Sequence, residues 1–399
     1  MRILVLAPQP FVTERGTPIA VRALVSALCK DGHEVDLLVL HEGTDIDVSG
    51  LRLIRAPRPP FVGKVPIGFS LAKLLCDIFL SITAFRLLAR QRYDVIHAVE
   101  EAVYPALLAK LFWRVVVVHD MDSLMVDQIV EKWPRVAAVR GPLDFMERLA
   151  ARRADMVLAV CPLIAARAAA AAGSHRVFLL HDIASPPPSG SPPPGLMELR
   201  AGLPDGALLA LYVGNLERYQ GVDLLIEAMA KLPLDGDACT LTLVGGDGTT
   251  IDDARARIHV LGLDNRVRLT GPAPFTHLPW LLAQADILCS PRLKGVNTPM
   301  KIYSYMAAAK PILATRIASH TQVLDDATAL LVDPTVDALA GGLAAFARNT
   351  ALRTRLGRAA AAHAIDNYGQ DAFEARLRAA YRFLASALPY SERAPVAQR

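Results

Sequence analysis

Short apolar runs recur along the first half of the chain, each followed by a stretch with helical spacing. "RILVLAP" (2–8) reads as a buried strand, "TPIAVRALVSALCKDG" as a helix that Gly32 stops, and "HEVDLLVL" (33–40) as the next strand, followed by "GLRLIRAP". An oily helix, "YDVIHAV" (93–99), a short helix around 101–112, "WRVVVVHD" (113–120), a long helix around 140–153 and "ADMVLAV" (154–160) continue the pattern. Apolar, β-branched runs separated by helices predict a parallel sheet covered on both faces.

"ASPPPSGSPPPG" (184–195) interrupts this rhythm. Six prolines among Ser and Gly predict a stiff, exposed linker and a domain boundary. The plan then repeats: "ALLALYVG" (207–214), the helix "VDLLIEAMAKL", "CTLTLVGG" (239–246), a helix near 252–262, "VRLTG", a helix near 277–284, "ADILCSP", "PILAT" and "ALLVD". A last helix is expected over about 371–386, and the tail "SERAPVAQR" is expected to be disordered. Two open α/β halves joined by a linker predict a ligand cleft at the carboxyl ends of the strands.

Composition narrows the partners. The chain has 399 residues, 53% hydrophobic and 21% charged, enough for two domain cores. A net charge of +4 is too mild to imply nucleic acid. The five cysteines show no metal-ligand spacing and read as free thiols of a reducing compartment. The opening "MRILVLAPQP" is too briefly apolar for a signal peptide. The most apolar stretch, Ile67–Leu88, contains Lys73, Asp77 and Arg86, so it does not qualify as a membrane span. Lys73, Asp77 and Ser81 form a narrow polar stripe on it. Two readings stay open: a core helix, or a helix lying on a membrane surface with Arg86, Arg90 and Arg92 at its end.

Lys294–Thr315, "KGVNTPMKIYSYMAAAKPILAT", carries the sharpest chemistry. Thr298 is predicted as an N-cap and Pro299 as the first helical residue, which puts Lys301 in the first turn. A cation there opposes the helix dipole by about 0.3–1 kcal/mol. Arg292 and Lys294 approach the same end. A bound phosphate or diphosphate reverses the sign of all these terms, because open N–H groups at a helix start bind phosphate. "ERGTPIAV" repeats the grammar in the first half, with Gly16 for close approach, Thr17 as N-cap and Pro18 as first helical residue.

The motifs "LYVGNLERYQGVDLLIEAM", "LTLVGGDG", "VRLTGPAPFTHLPWLLAQADILCSPRLKGVNTPMKIYSYMAAAKPILAT" and "LGRAAAAHAIDNY" together resemble the retaining glycosyltransferases of family 4. "ILVLAPQP", "LCKDGHEVDLL", "YDVIHA" and "VVVVHD" fit the same family in order. "GNLERYQG" and "NTPMKIYSYMAA" resemble a variant branch found with bacterial exopolysaccharide genes. The resemblance implies an α/β GT-B fold of two facing Rossmann-like, doubly wound domains with parallel sheets. It implies an acceptor domain over 1–183, a linker over 184–198 and a nucleotide-sugar domain over 199–370. A helix over 371–388 would cross back to the first domain, leaving 389–399 as the tail. The implied reaction moves a hexose or N-acetylhexosamine, from UDP ahead of GDP, to a glycan or polyprenol-linked acceptor with retention. No metal or other cofactor is required, the nucleotide-sugar being substrate. Localisation is expected to be cytoplasmic, at the inner face of the membrane, with peripheral contact through Ile67–Arg92.

The departures from the family shape the site expectations. The usual Arg and Lys that grip the diphosphate fall at Asn215 and Gln220, with Arg218 between them; the two usual glutamates fall near Val296 and at Ser304. Losing a charged ribose contact costs roughly 1–3 kcal/mol. In one explanation charge is relocated: Asn215, Arg218, Gln220, Arg292, Lys294, Asn297, Thr298 and Lys301 hold the diphosphate, and Gly245, Gly246, Asp247 and Ser304 the nucleoside. In the other the chain is a non-catalytic nucleotide- or glycan-binding subunit; a GT-B epimerase is a further alternative. By the resemblance His119 contacts the transferred sugar, although it also fits a strand-end histidine with a structural hydrogen bond; Lys301, from its place in the first turn, is expected to stabilise the leaving diphosphate. Gly16, Thr17, Glu100 and Asp120 are expected on the acceptor side, although Glu100 and Glu101 also fit a solvated surface. His97 reads as structural, "DMD" (120–122) as a weak metal signal, and His320 and Gln322 as minor candidates.

Overall fold

The computed structural model describes residues 1–11, 16–63, 65, 70–204, 206–232 and 239–387. The expected tail over 389–399 and the start of the oily segment, Ile67, Gly68 and Phe69, lie outside them. The chain divides into two compact units, Met1–His181 with the chain from Phe373 onward, and Asp182–Ala372.

The first unit contains β1 (Arg2–Ala7), α1 (Gly16–Lys30), β2 (Glu34–Val39), β3 (Leu51–Arg55), α2 (Leu71–Arg90), β4 (Val95–Val99), α3 (Val103–Ala109), β5 (Val116–Met121), α4 (Met125–Lys132), α5 (Arg140–Arg153), β6 (Met156–Ala159), α6 (Pro162–Ala172) and β7 (Val177–Leu179). Its seven strands lie parallel in the order β3-β2-β1-β4-β5-β6-β7. Leu4, Leu38, Ile96 and Val117 form a core with Cys76, Leu80, Ala84 and Leu88 of α2. β4 and β6 are buried along their whole length because helices cover the sheet, whereas the edge strand β3 carries Arg52 and Arg55.

The second unit runs β8 (Leu208–Val213), α7 (Val222–Lys231), β9 (Cys239–Val244), α8 (Gly248–Val260), β10 (Val267–Gly271), α9 (Leu278–Gln284), β11 (Ile287–Ser290), α10 (Met300–Ala307), β12 (Ile312–Thr315), α11 (Ala318–Thr321), β13 (Leu330–Val332), α12 (Val336–Arg348) and α13 (Thr350–Tyr368). Its parallel sheet has the order β10-β9-β8-β11-β12-β13. Leu225, Ile226 and Met229 of α7 meet Leu339, Leu343 and Phe346 of α12 over Tyr212, Leu241 and Leu243. A second cluster joins Leu209, Leu211 and Leu288 to Ile302, Tyr303 and Tyr305 of α10. The chain ends, among described residues, with α14 (Gln370–Ala387).

Both sheets are Rossmann-like, and each has a switch point, between β1 and β4 and between β8 and β11. Ligands of such sheets sit outside the strands' carboxyl ends at that point. Every expected site residue except Ser304 ends or follows a strand at its carboxyl end, or opens the next helix.

Two local expectations are corrected, and the polar stripe left open is placed. The polar stripe of α2 faces inward: Lys73 is buried and ion-paired to Asp77 and to Glu101 Oε1 at 2.5 Å. Burial drags Lys73 down, but the two carboxylates outweigh it and leave its pKa raised, while burial lifts Asp77 to about 6. The Pro-rich stretch is not exposed from its start. Ala184 is buried and donates its N–H to Tyr368 O at 2.9 Å. Gly16 is already helical in α1, so Thr17 lies within the helix rather than at its N-cap and Pro18 is not its first residue.

Candidate functional site

In the second unit the site begins where β8 and β9 end. Gly214 and Gly245 have φ of +148° and +123°, and a Cβ on Gly245 would lie 2.0 Å from Gly214 O. Only glycine lets two strand ends approach this closely. Asn215 and Arg218 follow in exposed positions, and Asn215 Nδ2 lies 3.4 Å from Tyr219 Oη. Gly221, with φ +69°, opens α7 against Pro291 O, locking this loop to the end of β11.

Arg292 leaves β11 buried and folds the following loop around itself. Its Nε donates to Lys294 O at 2.8 Å, Nη2 donates to Asn297 Oδ1 at 3.3 Å, and its guanidinium lies 5.4 Å from the Tyr219 ring centre. Lys294 is exposed. Thr298 is not an N-cap. Pro299 takes the cap position with extended ψ of 131°, and among the described residues no side chain caps α10. Proline has no side-chain acceptor, so the N–H groups of Met300 and Lys301 are left uncapped, while that of Ile302 donates to Pro299 O at 2.9 Å. Thr298 is 3% exposed, and its hydroxyl has no partner among the described residues.

Lys301 stands in that first turn. Part of the residue reaches the surface, but its ammonium lies 3.9 Å over the Tyr212 ring and 3.3 Å from Gln220 Oε1. Among the described residues no carboxylate forms a salt bridge with it. Burial first, then the nearby Arg292 charge, pushes its pKa well below the ordinary 10.5. Asp247 caps α8 through Thr250, and that bond lowers its pKa. Gly246, φ +84°, precedes it. Ser304 is buried on α10, and its hydroxyl meets Ser185 Oγ at 3.1 Å. The structure brings together Gln220, Arg292, Asn297, Thr298 and Lys301; it does not bring Ser304 into that group.

His320 is wholly buried beneath this loop. Ser290 Oγ lies 2.9 Å from its Nε2, Thr315 O lies 2.7 Å from its Nδ1, and Thr315 Oγ1 donates to Arg292 O. Burial pushes its pKa down to about 4, so a neutral imidazole supports the loop. Gln322 Nε2 donates to Val296 O at 2.8 Å and pins the same loop.

In the first unit, His119 and Asp120 end β5. His119 is buried, its Nδ1 has no partner among the described residues, and burial pushes its pKa to about 4. Asp120 Oδ2 meets His97 Nε2 at 3.1 Å. Glu100 and Glu101 are not solvated surface. Glu100 follows β4 with φ +53°, accepts from Ser123 Oγ at 2.9 Å, and is lifted to about pKa 8 by burial and then by Glu101. A positive φ on glutamate is the kind of backbone strain that clusters at functional sites. Glu101 is committed to Lys73. Among the described residues no group of three or more His, Cys, Asp or Glu is placed to hold a metal ion.

Two family profiles match this chain. Glycosyl transferase 4-like domain covers residues 15–181, and Glycosyl transferases group 1 covers residues 200–363. The chain belongs to the group 1, 4-like glycosyl transferases.

Among curated relatives of this family, the D-inositol 3-phosphate glycosyltransferase of Xylanimonas cellulosilytica is 25% identical over 80% of this chain and 79% of its own. Among solved glycosyltransferase structures, sucrose-phosphate synthase from Thermosynechococcus elongatus matches with TM-score 0.80, 20% identity, 97% of this chain and 100% of its own. HepE of Anabaena, solved with UDP, matches with TM-score 0.74, 17% identity and the same coverage. These likenesses match the GT-B architecture to the two Rossmann-like units. No helix among the described residues is long and apolar enough to cross a membrane.

Sequence reasoning missed four contributors: Tyr212 and Tyr219 beneath the cations, Thr315 beneath Arg292, and Tyr381 beside His97. Tyr212 alone left a signal, an aromatic two residues before Gly214 in an aliphatic strand.

Proposed function

We propose that this chain moves a hexose or N-acetylhexosamine from a nucleotide-sugar, UDP ahead of GDP, to a glycan or lipid-linked acceptor, with retention of configuration. The assembly served would be bacterial exopolysaccharide or cell-envelope glycan. The observation that carries the reading is Lys301: a desolvated ammonium without a carboxylate, beside the orphaned Thr298 hydroxyl and an uncapped helix start. A diphosphate supplies the missing charge and acceptors at once. As the bond from anomeric carbon to phosphate breaks, negative charge grows on the leaving oxygen, and those groups act most in the transition state. Neutral His119 is suited to a sugar hydroxyl rather than to a phosphate. Arg218 and Lys294, exposed at the same end, would close on the ligand's rim.

The test is nucleotide release from a panel of UDP- and GDP-sugars, with and without a lipid-linked saccharide extract, with product anomers read by NMR. Release supported by one UDP-sugar with the anomer retained is expected. Tight UDP binding with no release in any mixture would instead make the chain a binding subunit.

The acceptor partner is read as membrane-borne. The outer face of α2 carries exposed Leu71, Leu74, Ile78 and Ile82, and α3 leads into exposed Leu108, Leu111 and Phe112. Phe85 stacks on Trp113 at 5.8 Å, and Trp113 meets Phe112 at 5.9 Å, joining the two patches. Arg86, Arg90, Arg92 and Arg114 are exposed around them. An apolar face with a basic rim fits an anionic lipid surface. The full chain is expected to sediment with phosphatidylglycerol vesicles at low salt, and Ile78→Ser with Phe112→Ser to abolish it. Wild-type protein left in the supernatant would remove the membrane from the reading.

A further inference from the structure

We propose that Tyr381, carried by α14, is a positioning residue that acts through His97 to fix the Asp120 carboxylate at the carboxyl end of β5, where Asp120 receives a hydroxyl of the acceptor. The acceptor's part in this rests on the transferase reading above. The positioning itself rests on three side chains in line. Tyr381 Oη lies 2.8 Å from His97 Nδ1, and His97 Nε2 lies 3.1 Å from Asp120 Oδ2.

The chemistry of the three groups sets the direction of the protons. A carboxylate only accepts, so His97 Nε2 carries the hydrogen and donates to Asp120. A neutral imidazole then has Nδ1 as an acceptor, and the partner facing it must donate. Tyr381 does so. Its phenol is buried, and burial raises its pKa well above 10, so it keeps its proton. Without that hydroxyl the imidazole is free to exchange tautomers or rotate, and Asp120 loses its fixed partner. His97 has no exposed surface, so water cannot replace the donor. Asp120 keeps a small exposed fraction beside His119, at the end of the strand where a ligand of this sheet type sits.

The helix that delivers Tyr381 is anchored within the same unit. Lys30 Nζ lies 2.8 Å from Glu374 Oε2, and Arg378 Nη2 lies 2.6 Å from Asp31 Oδ1. These pairs fix α14 to the C-terminal end of α1. A role in packing alone would need only the ring, which lies 6.2 Å from the His97 ring and 5.7 Å from that of His33. The hydroxyl is what links the helix to the carboxylate.

The test uses the full chain. Long-range proton–nitrogen spectra of labelled protein at pH 7.5, with the His97 signal assigned through His97→Gln, are expected to show His97 neutral and protonated on Nε2. Tyr381→Phe is expected to mix the two tautomers. With UDP-glucose as donor and octyl glucoside as acceptor, Tyr381→Phe is expected to raise the acceptor KM about three- to tenfold, the loss of one buried hydrogen bond, while the donor KM holds. His97→Gln, whose amide both accepts and donates, should retain the wild-type acceptor KM, and His97→Ala should not. A wild-type His97 protonated on Nδ1, or a Tyr381→Phe variant with unchanged tautomer and unchanged acceptor KM, overturns the proposal. If wild type binds UDP but transfers to no acceptor, the transferase reading fails by itself, and the tautomer measurement still decides whether Tyr381 positions Asp120.

Discussion

Lys301→Met is expected to weaken UDP binding to the full chain by about ten- to a hundredfold. That range is one charge-assisted contact of roughly 1.5–3 kcal/mol. The substitution keeps the stem that lies over Tyr212 and removes only the charge. Arg218→Ala is expected to change affinity far less, because Arg218 is exposed and surface charges are screened. The pH dependence follows from the direction of the Lys301 shift. Its free-protein pKa lies well below 10.5, because burial and Arg292 disfavour the cation. A bound diphosphate favours the cation and raises that pKa. Affinity is therefore fullest below the free value and is lost as pH rises through the bound value, and UDP binding takes up protons between them. Calorimetry in buffers of different ionisation enthalpy reads that uptake directly. A Lys301→Met variant that binds UDP as wild type does, with no proton uptake in either, would place the diphosphate elsewhere.

What the sequence disclosed about this site depended on the range over which each residue's role is set. The strands β1, β2, β8, β9 and β11 are apolar runs bounded by turn residues, and they appear within a residue or two of expectation. The short β7 and the alanine-rich α6 and α13 were invisible. Three half-buried residues make no run, and alanine carries little periodic contrast. Lys301 was legible because a cation in a first turn is a local conflict. Thr298 was misplaced by one position, because the cap is decided by the ψ of Pro299 rather than by residue preference. Glu100 stayed open between acceptor side and solvated surface, since nothing near it in sequence reveals φ +53° or the Ser123 hydroxyl. Ser304 stands at the place where the family resemblance implies a ribose contact, and its hydroxyl is held by Ser185, a residue of the Pro-rich stretch 119 positions earlier. His97 and Tyr381 are 284 positions apart, and no periodicity reaches across that distance.

Gly245→Ala is expected to lower stability by roughly 3–5 kcal/mol, the sum of a strained backbone and an overpacked contact. The added Cβ would sit 2.0 Å from Gly214 O and 2.8 Å from its carbonyl carbon, and both are backbone atoms that no rotamer change can move aside. The φ of +123° adds strain wherever the chain relaxes. Both strand ends are also pinned, by Gly245 N to Gly271 O at 2.8 Å and Gly214 N to Val244 O at 3.0 Å, so relief would break a ladder bond. Gly248→Ala, three residues on, is the control. Its Cβ meets nothing within 4 Å and the position lies in α8, so the change is expected to be neutral or stabilising by a few tenths of a kcal/mol. The two glycines separate a structural cost from a functional one. A Cβ at Gly214 would lie 3.1 Å from Lys301 Nζ, so any shift of Gly214 forced by Gly245→Ala displaces the anion site as well. Urea titration of the two variants reads the first effect, and UDP affinity in the surviving folded fraction reads the second. Equal urea midpoints for wild type and Gly245→Ala would mean that the strand ends do not approach as closely as Gly214 and Gly245 require, and the placement of Lys301 beside them would fall with that contact.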